Sequence, residues 1–197
     1  MKKLFFSLFI SCLMAIGSNN TLYYPALLGA SIKDQGSKLY ISFNYTHQST
    51  HGSNQFAIWI EDITGKYIKT LFVTEFTGKG GFKKRETSIP KWVASSKIAK
   101  KNLESLDGSV GPTPKNPNVI YTWDCTDENK NKIPEGKYKV FIEGTTKDDN
   151  EIIFSGEFEL SDNDTNITSD INFNIEYIGD SENSNMLTNV KGKFVKN

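Results

Sequence analysis

The sequence of 197 residues predicts an all-β sandwich, and three features carry that prediction. Apolar and polar residues alternate with the period of a half-buried strand, as in KLYISFNYT, where Leu39, Ile41, Phe43 and Tyr45 share one side. Clusters of turn formers separate such runs at short intervals. A single segment, SIPKWVASSKIAKKNLESL, carries apolar residues at helical spacing. An apolar fraction of 37% suffices for the core of one ordinary domain.

Taken in order, residues 1–17 read as a signal peptide: Lys2 and Lys3, an apolar run from Leu4 to Ile16, then small residues at Ala15 and Gly17. The run is too short to span a bilayer, so no membrane insertion of the mature chain is expected. Export implies a periplasmic or otherwise extracytoplasmic address. A lipid anchor at Cys12 is the less favoured reading, because FISC lacks the preferred leucine and LMAIG is apolar where a tether is usually polar. Without it Cys125 is the lone mature cysteine, expected as a buried small hydrophobe. Residues 18–37 form an N-terminal arm with little periodicity.

The sandwich domain is expected over residues 38–197. After KLYISFNYT comes QFAIWIED, apolar on both sides and hence a central strand, and KYIKTLFVTEF returns as its hairpin partner. TGKGGFKKRE reads as a mobile glycine-rich connection; it lacks the Gly-Lys-Ser/Thr ending and following apolar helix of a phosphate loop. In the helical segment Ser88 is the expected cap, Pro90 suits the first turn, and Trp92, Ala99, Leu103 and Leu106 share a face. NVIYTWD, KYKVFIEGTT, EIIFSGEFEL and SDINFNIEYI supply further strands, and MLTNVKGKFVK an edge strand guarded by lysines. The total is about seven or eight strands with one short helical insertion, in an immunoglobulin-like sandwich.

Balanced charge, 23 basic against 23 acidic residues, gives no electrostatic reason to expect nucleic acid as partner. His47 and His51 lie in a turn-rich stretch with no evident third ligand, so no metal site is expected. Asp124, Asp127, Glu128 and Asn129 cluster, but without the spacing of a calcium loop; Asp124 and Asp127 are expected to bond turn backbone. Glu61–Asp62 and Asp148–Asp149 read as solvated turn residues, and Trp59, Trp92 and Trp123 as core around which two sheets close. No Ser, His and Asp set stands in a catalytic context, so an enzyme is not expected.

Two segments carry a resemblance. SNQFAIWIEDITGKYIKTLFVTEFTGKGGFKKRETSIPKWV is similar to a bacterial family of predicted periplasmic proteins, the domain of unknown function 2271, in its paired strands, glycine-rich loop, arginine (Arg85) and tryptophan (Trp92). YTWDCTDENKNKIPEGKYKVFIEG fits the same family and also resembles the immunoglobulin-like module of flagellar hook-capping proteins. The first resemblance implies that LDGSVGPTP occupies the place of an acceptor loop for covalent flavin mononucleotide, esterified onto the hydroxyl of Thr113. Asp107, Gly108 and Gly111 match that motif with Thr113; Val110 and Pro112 depart from it, removing a hydroxyl and stiffening the backbone. The leading expectation is a non-enzymatic accessory or binding module of the bacterial envelope, with an envelope protein as partner and a link to flavin-based redox systems. A flavin carrier and a structural module of a surface appendage are the alternatives.

Overall fold

A computed structural model describes residues 36–49, 52–101, 103, 106, 109–146, 150–161, 167–179 and 185–196. The signal peptide, Cys12 and the N-terminal arm lie outside the described residues.

Ten strands form two sheets among the described residues: β1 (Ser37–Tyr45), β2 (Gln55–Asp62), β3 (Tyr67–Thr74), β4 (Val110–Gly111), β5 (Asn118–Trp123), β6 (Gly136–Thr145), β7 (Glu151–Leu160), β8 (Ile167–Ile171), β9 (Phe173–Ile178) and β10 (Leu187–Lys196). One sheet has the order β5-β1-β10-β8 and the other β4-β3-β2-β6-β7-β9. Every pairing is antiparallel except that of β3 with β4. The all-β sandwich expected from the sequence is present, in a strand order where the first strand lies between β5 and the last.

Its inner core follows from the alternation. Leu39, Ile41 and Phe43 of β1 meet Phe56, Ile58 and Ile60 of β2, with Trp123, Val140, Ile142 and Phe154 completing the layer. Phe43 and Phe56 meet edge to face with centroids 5.5 Å apart.

Two departures concern the last strands. SDINFNIEYI is not one strand but two, broken at Asn172: β8 pairs with β10 in the first sheet, and β9 pairs with β7 in the second. Glycines permit the crossing. Ile171 pairs with Gly192 and Phe173 with Gly156. A Cβ on Gly156 would strike Ile171 and lie 3.2 Å from the Asn172 carbonyl; one on Gly192 would lie 3.0 Å from Ile171. The consequence is that β10 is interior, between β1 and β8, and not the edge strand that its lysines suggested. Their alternation with buried Phe194 fits a strand with one wet face as well as it fits an edge.

The helical insertion between β3 and β4 contains α1 (Glu75–Gly78), a 3₁₀ turn at Gly81–Lys83, α2 (Pro90–Ser96) and a 3₁₀ turn at Ile98–Lys100. The helix predicted to run on toward Leu106 stops at Lys97, whose backbone is left-handed. The stop turns Ile98 inward, where it is 1% exposed. TGKGGFKKRE is likewise no mobile connection: Gly81 and Phe82 are buried in it.

Candidate functional site

The insertion covers the outer face of the six-stranded sheet and makes a second core. That is why QFAIWIED is apolar throughout: Phe56, Ile58 and Ile60 face the first sheet, while Ala57 and Trp59 face the insertion. Trp59 stacks on Phe141 at 5.0 Å, and Ile89, Trp92, Ile98 and Leu106 close over them. Only Trp123 of the three indoles therefore belongs to the layer between the sheets; Trp59 and Trp92 belong to the second core. Their N–H groups find partners, Trp59 Nε1 on Glu61 Oε1 at 2.7 Å and Trp92 Nε1 on Thr70 Oγ1 at 2.9 Å. Glu61 is thus a buried acceptor, 7% exposed, and not the solvated turn residue expected.

One end of this second core is polar and ordered by two arms of hydrogen bonds that converge on Gln55 Oε1. Arg85 donates to Ser88 Oγ at 3.1 Å and to the Ser53 carbonyl at 3.0 Å. Because Thr77 Oγ1 spends its proton on the carbonyl Gln55 Oε1, the Ser88 hydroxyl is the donor to Thr77 Oγ1, 2.6 Å away. Thr77 then donates to Gln55 Oε1 at 3.0 Å, which Thr74 Oγ1 also reaches at 2.5 Å. Thr74 accepts in turn from the Phe56 backbone N–H at 3.2 Å. Gln55, Thr74, Thr77 and Ser88 are all buried, so the two arms satisfy groups that would otherwise be costly to desolvate. Arg85 also lies 5.0 Å over the Phe76 ring.

Ser88 is thus occupied and does not cap α2; no side chain of the cap residue, Ile89, does so either. The cap comes from β6. Glu143 accepts from the backbone N–H of Lys91 at 3.0 Å and of Trp92 at 2.7 Å, one on each carboxyl oxygen. It is fully buried. Burial pushes its carboxyl well above the ordinary value of 4.5, and the neighbouring Glu151 carboxylate pushes in the same direction, against the two backbone donors. Such a carboxyl keeps its proton to higher pH than a solvated glutamate does. Nearby, the buried hydroxyl of Thr145 has no hydrogen-bond partner among the described residues. Sequence alone offered one signal for Glu143: a lone carboxylate in the apolar run KVFIEG.

The loop singled out in the sequence follows the β3 edge. Ser109 Oγ donates to the Thr70 carbonyl at 3.0 Å, and Val110 and Gly111 pair in parallel with Val73 and Thr74. A Cβ on Gly111 would lie 2.7 Å from the Phe72 ring, so this glycine has a packing reason of its own. Thr113 is half-buried in an extended stretch, between exposed Pro112 and half-buried Pro114. Asp107 and Gly108 lie outside the described residues, as do His51, Asp148 and Asp149; His47 is exposed.

Cys125 is buried, and burial together with the Asp124 charge pushes its thiol up to about 12, which leaves it inert. Asp127 accepts from the Asn129 and Asn131 backbone N–H groups at 2.8 and 2.9 Å, as a turn residue should. Asp124 instead accepts from the Thr126 hydroxyl at 2.7 Å. Among the described residues no group of three or more His, Cys, Asp or Glu side chains is placed to hold a metal ion.

Grooves occur elsewhere on the surface. One of about 530 Å³ lies beside β9 and is lined by Phe173, Ile175, Tyr177 and Leu187 together with the polar Asn172 and Asn189, among others. Over it Ile175 and Tyr177 stay 50% and 42% exposed, because β8 covers β10 only from Gly192 onward. Another, of about 430 Å³, lies between the β2–β3 turn and the end of α2.

The model of a family described as predicted periplasmic protein, domain of unknown function 2271, matches residues 37–176. No curated protein and no solved structure matches the chain. The likeness of one segment to hook-capping modules therefore rests on its sequence alone. Among the described residues no helix is long and apolar enough to cross a membrane.

Proposed function

The chain belongs to this family of predicted periplasmic proteins, and on that premise we propose that it is a non-enzymatic binding module of the envelope, which takes an extended segment of a partner protein along β9. The observation that carries this reading is the β9 edge. FNIEYI has neither lysine nor proline to discourage pairing, Phe173 to Tyr177 have no outer strand partner among the described residues, and Ile175 and Tyr177 are exposed over a groove that mixes apolar and asparagine side chains. An added strand would gain main-chain hydrogen bonds and seat alternate side chains in the groove. The hydrogen bonds of Arg85, Ser88, Thr77, Thr74 and Gln55 support the same reading, since they are spent on one another.

A photo-crosslinking residue at Ile175, in cells that make the partner, is expected to give one discrete adduct, lost on Tyr177→Asp. The same residue at Ile120, 64% exposed on β5, serves as control and is expected to give none. Equal labelling at both positions, or substrate turnover by the purified domain, contradicts the proposal.

A flavin carrier is the second reading, favoured by the place of half-buried Thr113 two residues beyond β4, after Gly111, where a side chain would strike Phe72. Coexpression with a flavin transferase is then expected to add the mass of flavin mononucleotide, with loss of that mass in Thr113→Val. An unmodified intact mass removes this reading and the redox association with it.

A further inference from the structure

The second groove carries a separate inference, on the side of the six-stranded sheet away from β9. Its lining includes Lys66, Lys97 and Lys101, the hydroxyl residues Thr64, Ser95 and Ser96, and the ring of Tyr67, with no carboxylate among the described lining residues. Of the two carboxylates nearest in the hydrogen-bond pattern, Asp62 is held by backbone, whereas Glu128 pairs with Lys101 itself, an exposed ion pair that an anionic ligand would replace. Asp62 accepts from the Thr64 and Lys66 backbone N–H groups at 2.9 Å each, which fixes the turn that carries Lys66. Glu128 stands 3.4 Å from Lys101, which also lies 4.7 Å over the Tyr67 ring. The helix end that faces the groove does not present bare acceptors: the Ala94 carbonyl takes the Lys97 N–H at 3.3 Å, and the Val93 carbonyl takes the Ser96 hydroxyl at 3.4 Å.

Lys97 supplies an independent observation. It ends α2 with φ 55° and ψ 27°, a left-handed conformation that glycine or asparagine takes far more readily at a helix end. Ile89, at the other end of α2, is left-handed too, but its side chain is fully buried and kept for packing; the Lys97 side chain is exposed, which leaves its use at the surface. Here the use on offer is a cation carried on the wall of a concave groove. The volume suits a small molecule. Three ammonium groups without a guanidinium fit a tetrahedral anion approached as point charges better than a planar carboxylate gripped by a fork.

We propose that this groove binds a small phosphorylated ligand, its phosphate held by Lys66, Lys97 and Lys101. The test is a titration of the intact domain with pyrophosphate at constant ionic strength, followed by amide chemical shifts. Saturable shifts are expected at residues 64–67, 95–97 and 101. Lys97→Gly is expected to melt at or above the parent temperature, since the strain is relieved, and yet to bind at least tenfold more weakly. Lys66→Gln, which leaves the helix end untouched, is expected to weaken binding several-fold. A Lys83→Gln, Lys84→Gln double variant, altered at exposed lysines of the same insertion, is expected to bind as the parent does. Binding by Lys97→Gly or Lys66→Gln within twofold of the parent, or shifts that track Lys83 and Lys84, overturns the proposal.

Discussion

The two faces of the six-stranded sheet solve one problem in different ways. Toward the other sheet, Phe56, Ile58, Val140 and Phe154 are covered by apolar side chains that need no particular direction of approach. Toward the insertion, Trp59, Phe141 and Ile153 are covered by a short, irregular segment whose grip depends on directional bonds from Arg85, Ser88, Gln55 and Glu143. The contrast follows from length. A ten-residue strand such as β7 can bury a full row of side chains. The seven residues of α2, left-handed at both ends, cannot, so buried polar anchors supply the rest. The inner face decides whether the chain folds, and the outer face decides where the insertion sits.

The largest expected effect tests the inner face. Trp123→Ala should leave a cavity between the sheets and cost about 3–5 kcal/mol, read as a lower urea midpoint in one cooperative transition. Next comes Glu143→Ala, which strands the Lys91 and Trp92 N–H groups and should cost about 2–4 kcal/mol. Its signature is local: amide exchange at Lys91 and Trp92 should accelerate more than exchange in β1. Arg85→Ala should cost less, about 1–2 kcal/mol, because Ser88 and Thr77 can still bond each other. Faster exchange confined to residues 52–55 and 85–88 would mark it. Equal acceleration throughout the domain in the last two variants would mean that the faces are not separable.

Much of the inner face was legible in sequence, because alternation reports burial directly: Leu39, Ile41, Phe43 and Tyr45 are all buried as their spacing required. QFAIWIED announced its central place by being apolar on both sides. The outer face was legible only in part. Trp92 and Pro90 marked α2, but its cap comes from Glu143, 51 residues from Trp92, and no local pattern encodes a partner that tertiary folding brings. Ser88, which local rules choose as cap, is drawn instead into the Arg85–Thr77 chain. The sheet crossing at Asn172 had a signal in Gly156 and Gly192, glycines inside otherwise regular strands, whose meaning required knowing that they face the same turn of chain. Thr113 was read from a motif, whereas the packing of Gly111 on Phe72 depends on a strand pairing that the motif does not contain.

The buried carboxyl makes the comparison sensitive to pH. Its folded-state pKa lies above 4.5, so the folded chain holds its proton more tightly than the unfolded one does. The resulting stability is fully present below about 4.5 and is lost as pH rises through the raised value. Asp62 and Asp127 act in the opposite sense. The Thr64 hydroxyl and the Asn131 backbone N–H respectively hold their carboxyls below 3.8, so their contribution is lost only as pH falls through those lowered values. Native-state hydrogen exchange followed as pH is raised from 4.5, corrected for intrinsic rates, separates the two faces most directly. The account predicts that protection at Lys91 and Trp92 falls with rising pH while protection at Ile41 and Phe43 falls less, and that Glu143→Gln removes the difference. Identical opening free energies for all four amides at every pH would contradict it.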